Sequence, residues 1–232
     1  MPVDTEQRHG WLNSLRMLKR RLAPTLKLPI WSYRLFDQWL DYEPVETEWV
    51  RKVVKPGMVC YDLGAHWGYY THLLSQLTGP SGKVFAFEPD PDNRLKLEKR
   101  VAGLGNVTIV PVAVGDRVGE ISVVQSDKND AQSKTRQGAQ GISVPMVTLD
   151  SLQIPRPDFL KSDIEGYELH MLRGMSFNPK FLLIESFPEC LLDAGTDPKD
   201  LLAEVERRNY SIERAKWQSH ENLLCSLRSG SP

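Results

Sequence analysis

The stretch VCYDLGAHWGYYT, residues 59–71, decides the fold that this sequence predicts. Residues 59–63 form a short, mostly apolar run of the kind that becomes a buried parallel strand. Glycines follow at 64 and 68, and apolar residues then recur at helical spacing. A strand, a tight glycine turn and a helix make up the opening unit of a nucleotide-binding α/β sheet. In such a unit Gly64 adopts backbone angles that a side chain forbids, and Gly68 lets the helix pack closely against the strand.

The glycine spacing separates two kinds of cofactor. A dinucleotide fingerprint has a middle glycine that lets a diphosphate approach the backbone, whereas His66 occupies that position here. The pattern therefore suits a ligand that carries a carboxylate and an ammonium group but no diphosphate. Asp62, at the carboxyl end of the strand, is placed to accept hydrogen bonds from such a ligand. Together with Glu88, this stretch resembles motif I of S-adenosylmethionine-dependent methyltransferases. A turn with a purely structural role is the alternative.

A second acid favours an adenosyl ligand. Residues 83–87 form a second predicted strand that ends at Glu88, 24 positions after Gly64, where an acid accepts hydrogen bonds from both ribose hydroxyls. The alternative is a strand-end acid that simply faces solvent. A third strand, predicted over 106–116, runs into a turn that lies over the adenine ring in this architecture. The predicted cofactor contacts are Asp62, Gly64, Ala65, His66, Gly68, Tyr70, Thr71, Glu88, Pro89, Ala113, Val114 and Asp163.

Acidic residues stand at the ends of four predicted strands, at Asp62, Glu88, Asp163 and Glu185. Because ligands of open α/β sheets bind outside the carboxyl ends of the strands, we expect these acids along one rim. Asp163, with Glu165 and Glu185 next, is the candidate for taking a proton from the acceptor. Oxygen ligands from neighbouring strand ends also suit Mg²⁺, and the sequence leaves the metal question open.

Each of these acids has a structural alternative. Ser162 and Glu165 have the spacing of a helix capping box, Asp163 can complement the positive end of the same helix, and Glu185 can pair with Lys161. Three histidines are weaker candidates for the base, since each is expected in a loop or on a helix surface: His66, His72 and His170.

Composition narrows the class of protein. The chain has 232 residues and a formal net charge of −1, so no global charge draws it to nucleic acid. Its cysteines are odd in number, three, and lack C-x-x-C spacing, which favours a reduced, cytoplasmic setting. No apolar run reaches membrane-spanning length, and the N-terminus lacks the apolar core of a signal peptide. A nucleic-acid partner is therefore not expected, and the oligomeric state stays open.

Five motifs in order resemble the FkbM-type family of S-adenosylmethionine-dependent methyltransferases. They are DLGAHWGYYT (62–71), FEPD (87–90), VAVGD (112–116), TLD (148–150) and KSDIEGYE (161–168). The resemblance spans about residues 55–190. It implies a class I methyltransferase fold, an α/β Rossmann-like sheet with helices on both faces. It also implies methylation of a hydroxyl oxygen on a sugar or another small natural product.

The remaining chain completes the predicted organisation. Residues 1–47 are predicted to form an N-terminal helical extension or cap, and residues 48–232 the methyltransferase domain. Segments 119–125 and 142–147 alternate apolar and polar residues as an inserted β-hairpin, with the polar stretch 126–141 as a flexible tip over the substrate. Two rival functions remain: an RNA or protein methyltransferase, and a module that binds cofactor without turnover.

Overall fold

The computed structural model describes residues 43–124, 134–135, 141–217 and 220–229. Its strands are β1 Val59–Leu63, β2 Lys83–Phe87, β3 Val107–Val110, β4 Ala113–Val114, β5 Gly119–Val124, β6 Lys134–Thr135, β7 Ile142–Val147, β8 Phe159–Ser162, β9 Phe181–Ser186, β10 Tyr210–Lys216 and β11 Glu221–Leu227. Its helices are α1 Pro44–Val53, α2 Tyr69–Thr78, α3 Pro91–Val101, α4 Glu168–Arg173, α5 Pro188–Asp193 and α6 Pro198–Arg207, with a 3₁₀ turn at Leu149–Ser151.

Seven strands form the main sheet, in the order β3-β2-β1-β8-β9-β11-β10. The five strands from β3 to β9 pair in parallel, and β11 runs antiparallel to both β9 and β10. The chain places β2 and β3 on one side of β1, and then β8 and β9 on the other. The boundary between β1 and β8 is therefore the topological switch point, where open α/β sheets bind ligands.

Helices cover both faces of this sheet, as predicted. On one face Tyr61 of β1 packs in a cluster with Leu172 of α4 and Leu201 of α6. On the other face Trp49 of α1 packs against Phe159 of β8, with ring centroids 6.1 Å apart. The strands in the middle are buried on both sides, which explains their continuous apolar runs.

The inserted hairpin is confirmed as β5 and β7, which pair in antiparallel fashion. It belongs to a second sheet of order β4-β7-β5-β6. The single third strand predicted over 106–116 is wrong in this respect, because the chain bends after Val110 and gives its last part, β4, to the second sheet. Most of the polar stretch 126–141 lies outside the described residues.

Asp90 caps the N-terminus of α3: its side chain accepts hydrogen bonds from the backbone N–H groups of Asp92 and Asn93. Nearly all of the predicted extension, residues 1–47, lies outside the described part, so its helical character stays a prediction. In the part of the chain that the structure describes, no helix is both long and apolar enough to cross a bilayer.

Candidate active site

The register of the sheet brings the strand-end acids to one rim. Leu63 of β1 pairs with Phe87 of β2 on one side and with Ser162 of β8 on the other. Ser162 in turn pairs with Ile184 of β9. The next residues of these four strands, Glu88, Gly64, Asp163 and Glu185, therefore lie side by side across the carboxyl edge.

Gly64 is the position in this row with no space for a side chain. Its φ of +72° lies in the left-handed region, and a Cβ there would overlap the carbonyl oxygen of Asp163. Only glycine satisfies both conditions. Gly68, with φ of +87° at the start of α2, plays a different part from the one expected, because the close contact is with Leu97 of α3 rather than with the strand.

Glu88 is held by the backbone on either side. One carboxylate oxygen accepts the N–H of His66 at 2.6 Å, and the other accepts the N–H of Asp90 at 2.9 Å. His66 reaches this position with φ of +51°. Burial raises the pKa of Glu88 to about 7, although both backbone hydrogen bonds oppose the shift. The two oxygens keep further lone pairs, so the carboxylate can accept hydroxyl groups of a ligand.

Asp62 lies one residue below the rim and is fully buried. Its Oδ2 accepts the hydroxyl of Thr71 at 2.6 Å. Its Oδ1 has no hydrogen-bond partner among the described residues and lies 3.9 Å from the Lys161 ammonium. Burial raises the pKa of Asp62, against the effect of that ammonium. A buried acceptor left open beside a glycine cradle fits a cofactor that carries an ammonium group.

Lys161 links the rim acids. Its Nζ lies 3.0 Å from Asp163 Oδ2, and the ammonium sits 5.1 Å from the ring centroid of Tyr70. Burial favours the neutral form of Asp163, but the Lys161 charge and hydrogen bonds from Glu185 and Lys161 outweigh it and hold the pKa of Asp163 below its ordinary value. From the sequence, Lys161 was expected only as a pairing partner of Glu185. One basic residue inside an apolar strand is nevertheless a signal of buried pairing.

Glu185 is the protonated partner of Asp163. Burial, followed by the charge of Asp163 and the hydrogen bond between them, raises the pKa of Glu185 far above its ordinary value. Two adjacent carboxyl groups cannot both ionise in a poorly hydrated site. On its other side, Glu185 Oε1 lies 3.5 Å from His220 Nε2. Asp163 and Glu185 thus share one proton between them.

Glu165 contacts α5, and its charge also contributes to the raised pKa of Glu185, after burial and the charge and hydrogen bond of Asp163. It has φ of +54°, and its Oε2 accepts the Cys190 thiol at 3.3 Å. The capping-box alternative is wrong, because Ser162 belongs to β8 and its hydroxyl has no partner among the described residues. Glu168 instead binds the backbone before α4, where its Oε1 accepts the N–H of Ile164 at 2.9 Å.

The other predicted residues surround this row. Ala65 and Tyr70 are buried beside it, and Pro89 follows Glu88. Ala113 and Val114 are buried in β4, just beyond the end of β3. Their roles toward a cofactor stay predictions.

Of the three histidines named as weaker candidates for the base, His66 lies at the rim, where burial lowers its pKa and the charges of Lys96 and Asp163 also act on it. His170 Nδ1 lies 2.7 Å from Asp116 Oδ2, in a pair apart from the rim acids. His72 is half-buried within α2. Across the described ranges, no three His, Cys, Asp or Glu side chains converge as a metal site would require.

The fold and the rim define a class I methyltransferase. The chain belongs to a family within that class, because the family model for the methyltransferase FkbM domain matches residues 62–212. The match begins at the buried Asp62 and includes all four rim positions, Gly64, Glu88, Asp163 and Glu185.

Three individual proteins illustrate what this chain is similar to. The chain is 28% identical over 184 residues to the hexuronic acid methyltransferase AglP of Haloferax volcanii, a match that covers 73% of this chain and 70% of that protein. The methyltransferase FkbM structure from Methylobacillus flagellatus superposes with a TM-score of 0.50 and 19% identity over 78% of this chain, which spans half of that protein. Aeropyrum pernix fibrillarin, solved with bound S-adenosyl-L-methionine, superposes with a TM-score of 0.51 and 13% identity, covering 78% of this chain and 74% of that one. The two structural likenesses show the shared fold.

Proposed function

We propose that this methyltransferase moves the methyl group of S-adenosylmethionine to a hydroxyl oxygen of a small molecule, a sugar in the first place. The observation that carries the proposal is the placement of Asp163 and Glu185 at the ends of two neighbouring strands, with Lys161 3.0 Å from Asp163 and the glycine turn in contact with its backbone. A group that accepts a proton thus stands next to the predicted cofactor loop, as O-methylation requires.

The cofactor side is assigned to residues of β1, β2 and the turn between β1 and α2. Glu88 accepts the ribose hydroxyls with the lone pairs left free by its two backbone hydrogen bonds. Asp62 offers its open Oδ1 to the ammonium end. Bound S-adenosylmethionine supplies a methyl group already activated on its sulfonium sulfur. The protein therefore has mainly to align an oxygen with that methyl group, and positioning of this kind is a large share of catalysis.

Asp163 takes the hydroxyl proton of the acceptor. The oxygen forms a bond to the methyl carbon as the sulfur–carbon bond breaks, and its proton becomes strongly acidic in that step. A carboxylate with a low pKa is therefore a sufficient base if it lies within hydrogen-bond reach. The side chain of Asp163 is 32% exposed, so an acceptor hydroxyl can approach it.

Lys161 and Glu185 are positioning residues for Asp163. Lys161 holds one carboxylate oxygen at 3.0 Å and keeps Asp163 ionised. The protonated carboxyl of Glu185 donates a hydrogen bond to the same carboxylate and thereby fixes the orientation of Asp163. Because Glu185 already carries a proton, it cannot compete with Asp163 for the proton of the acceptor.

The sugar acceptor is supported by the hexuronic acid methyltransferase of Haloferax volcanii, the relative described above. The rival interpretation as an RNA methyltransferase is weakened by the net charge of −1, since RNA binding relies on Lys and Arg contacts to phosphates. The rival interpretation as a binding module is weakened by the carboxyl pair at the rim, because binding a cofactor without turnover requires no group that accepts a proton.

The test measures S-adenosylhomocysteine release with hydroxylated sugars, and mass spectrometry locates the added methyl group. We expect methyl ethers as products. Asp163→Asn preserves shape and should lower kcat by about 10²–10⁴-fold with little change in cofactor affinity. Glu98→Gln, an exposed change on α3, is the matched control. Methylation at nitrogen or carbon would contradict the proposal, and near-normal turnover of the Asn variant would contradict the role of Asp163 as the base.

A further inference from the structure

A groove of about 400 Å³ lies between α6 and the hairpin of β10 and β11, at the carboxyl end of β9. We call it the cationic groove, and its lining includes Ser186, Lys199, Arg214, Lys216, Trp217 and His220. Its volume falls in the range of small-molecule sites. The cofactor assignment above does not use it.

The groove is positively charged although the chain is not. Three cationic side chains and a single carboxylate, Glu221, line it. Arg214 is paired with that carboxylate, with Nη1 at 3.3 Å from Glu221 Oε1. Lys199 and Lys216 form no ion pair with the described part of the chain, and both are exposed. Two lysines left available in one groove fit a ligand with a negative group.

Trp217 gives the groove a fixed aromatic surface. It is 40% exposed, which is unusual for so large an apolar side chain. Its indole N–H donates to the buried Glu46 Oε1 at 2.7 Å. Its ring stacks on His220, with centroids 5.9 Å apart and planes 8° apart, and His220 stacks in turn on Phe187. An indole held at its edge and on one face is preorganised to take a ring on its open surface.

The groove adjoins the reacting carboxyl pair. His220, which lines the groove, lies 3.5 Å from Glu185 through its Nε2. Ser186, which also lines the groove, directly follows Glu185 in β9. His220 therefore links the groove to Glu185, the partner of Asp163.

We propose that the cationic groove is the acceptor subsite and that it selects a sugar bearing a carboxylate. The pyranose ring lies against Trp217, and the carboxylate binds Lys199 and Lys216. This inference rests on the proposed function for the identity of the reaction, but the binding that it describes needs no turnover. A negative acceptor would be repelled by the rim acids alone, so the lysines orient it with the hydroxyl rather than the carboxylate toward Asp163.

The experiment uses matched pairs of glycosides that differ only in the carboxylate. Methyl glucuronide, galacturonide and mannuronide are titrated against the corresponding neutral methyl glycosides, by saturation-transfer NMR and calorimetry on the full chain with S-adenosylhomocysteine. We expect at least one glycuronide to bind about tenfold more tightly than its neutral partner, the usual contribution of a charged hydrogen bond. Lys199→Ala with Lys216→Ala should abolish that preference, and Trp217→Ala should weaken both members of the pair.

Lys83→Ala is the control, because Lys83 is exposed at the amino end of β2, far from the carboxyl ends of the strands. This variant should keep the preference for the glycuronide. Equal binding of the charged and neutral glycosides overturns the inference, as does a preference that survives in the double lysine variant. Binding that follows the expected pattern without any methyl transfer overturns the proposed function and leaves the subsite standing. Methyl transfer to neutral sugars at the same rate in the unmodified protein and in the double lysine variant overturns the subsite alone.

Discussion

The backbone of Asp163 occupies the space in which a side chain at Gly64 would begin. The predicted cofactor turn and the reacting carboxylate are thus in direct backbone contact across β1 and β8. We expect Gly64→Ala to force the two strands apart and to strain a residue with φ of +72°. The expected cost is at least about 1–3 kcal/mol of stability, together with loss of cofactor binding.

Thermal unfolding and calorimetric titration with S-adenosylmethionine check this. Gly105→Ala is the matched control, because a Cβ at Gly105 meets no atom within 4 Å. Unchanged cofactor affinity in the Gly64 variant would contradict the assignment of this turn to the cofactor site.

Glu88 should make cofactor binding depend on pH. Its pKa of about 7 means that the free protein holds a proton on this carboxyl below neutrality. The ionised form accepts ribose hydroxyls better, so the affinity for S-adenosylmethionine should rise as pH increases through 7 and then level off. Glu88→Ala should weaken binding by about 1–3 kcal/mol and flatten the profile. Titrations at pH 6, 7 and 8 decide the matter, and a flat profile in the unmodified protein would argue against Glu88 as a ligand.

Lys161→Met should destabilise the protein in a manner that depends on pH. The change leaves Asp62 and Asp163 without their cation, and breaking a buried pair costs up to about 3–5 kcal/mol. Because both carboxyls can take up protons in acid, the loss of Tm should be larger at pH 8 than at pH 5. The acidic limb of the kcat profile should also shift to higher pH, since the Lys161 charge keeps the pKa of Asp163 low. Equal losses of Tm at both pH values would mean that only packing was lost.

Glu168→Gln should stabilise the protein at higher pH. Burial raises the pKa of Glu168 to about 8 in the folded state, although the Ile164 N–H opposes the shift. The folded protein therefore holds a proton that the unfolded chain releases near pH 4.5, and the stability from that proton is lost as pH rises toward 8. One such site contributes a slope of up to about 1.4 kcal/mol per pH unit. Gln keeps the acceptor for Ile164, so its unfolding free energy should fall less between pH 5 and 8. An identical slope in both proteins would contradict this assignment.

Local sequence patterns predict the strands of the main sheet well. The run 59–63 and the glycines after it specified a parallel strand and its turn, because a buried strand and a left-handed turn restrict residue type directly. They were less informative where the chain changes sheets. In the run 106–116 the signal for the bend is Pro111, directly after Val110, because proline has no N–H to donate within a central strand. The apolar residues on both sides of it nevertheless suit one continuous strand.

The sequence by itself determined that acids stand at the ends of neighbouring strands and that glycine is required at position 64. These are properties of residue type and spacing, and parallel strands bring their carboxyl ends to one edge. The tertiary structure alone decided which acids meet. Lys161, Asp163, Glu185 and His220 are joined by strand order and register, which depend on packing across the whole sheet. It also decided their protonation, because the pKa of a carboxyl depends on its burial and on charges that the fold places beside it.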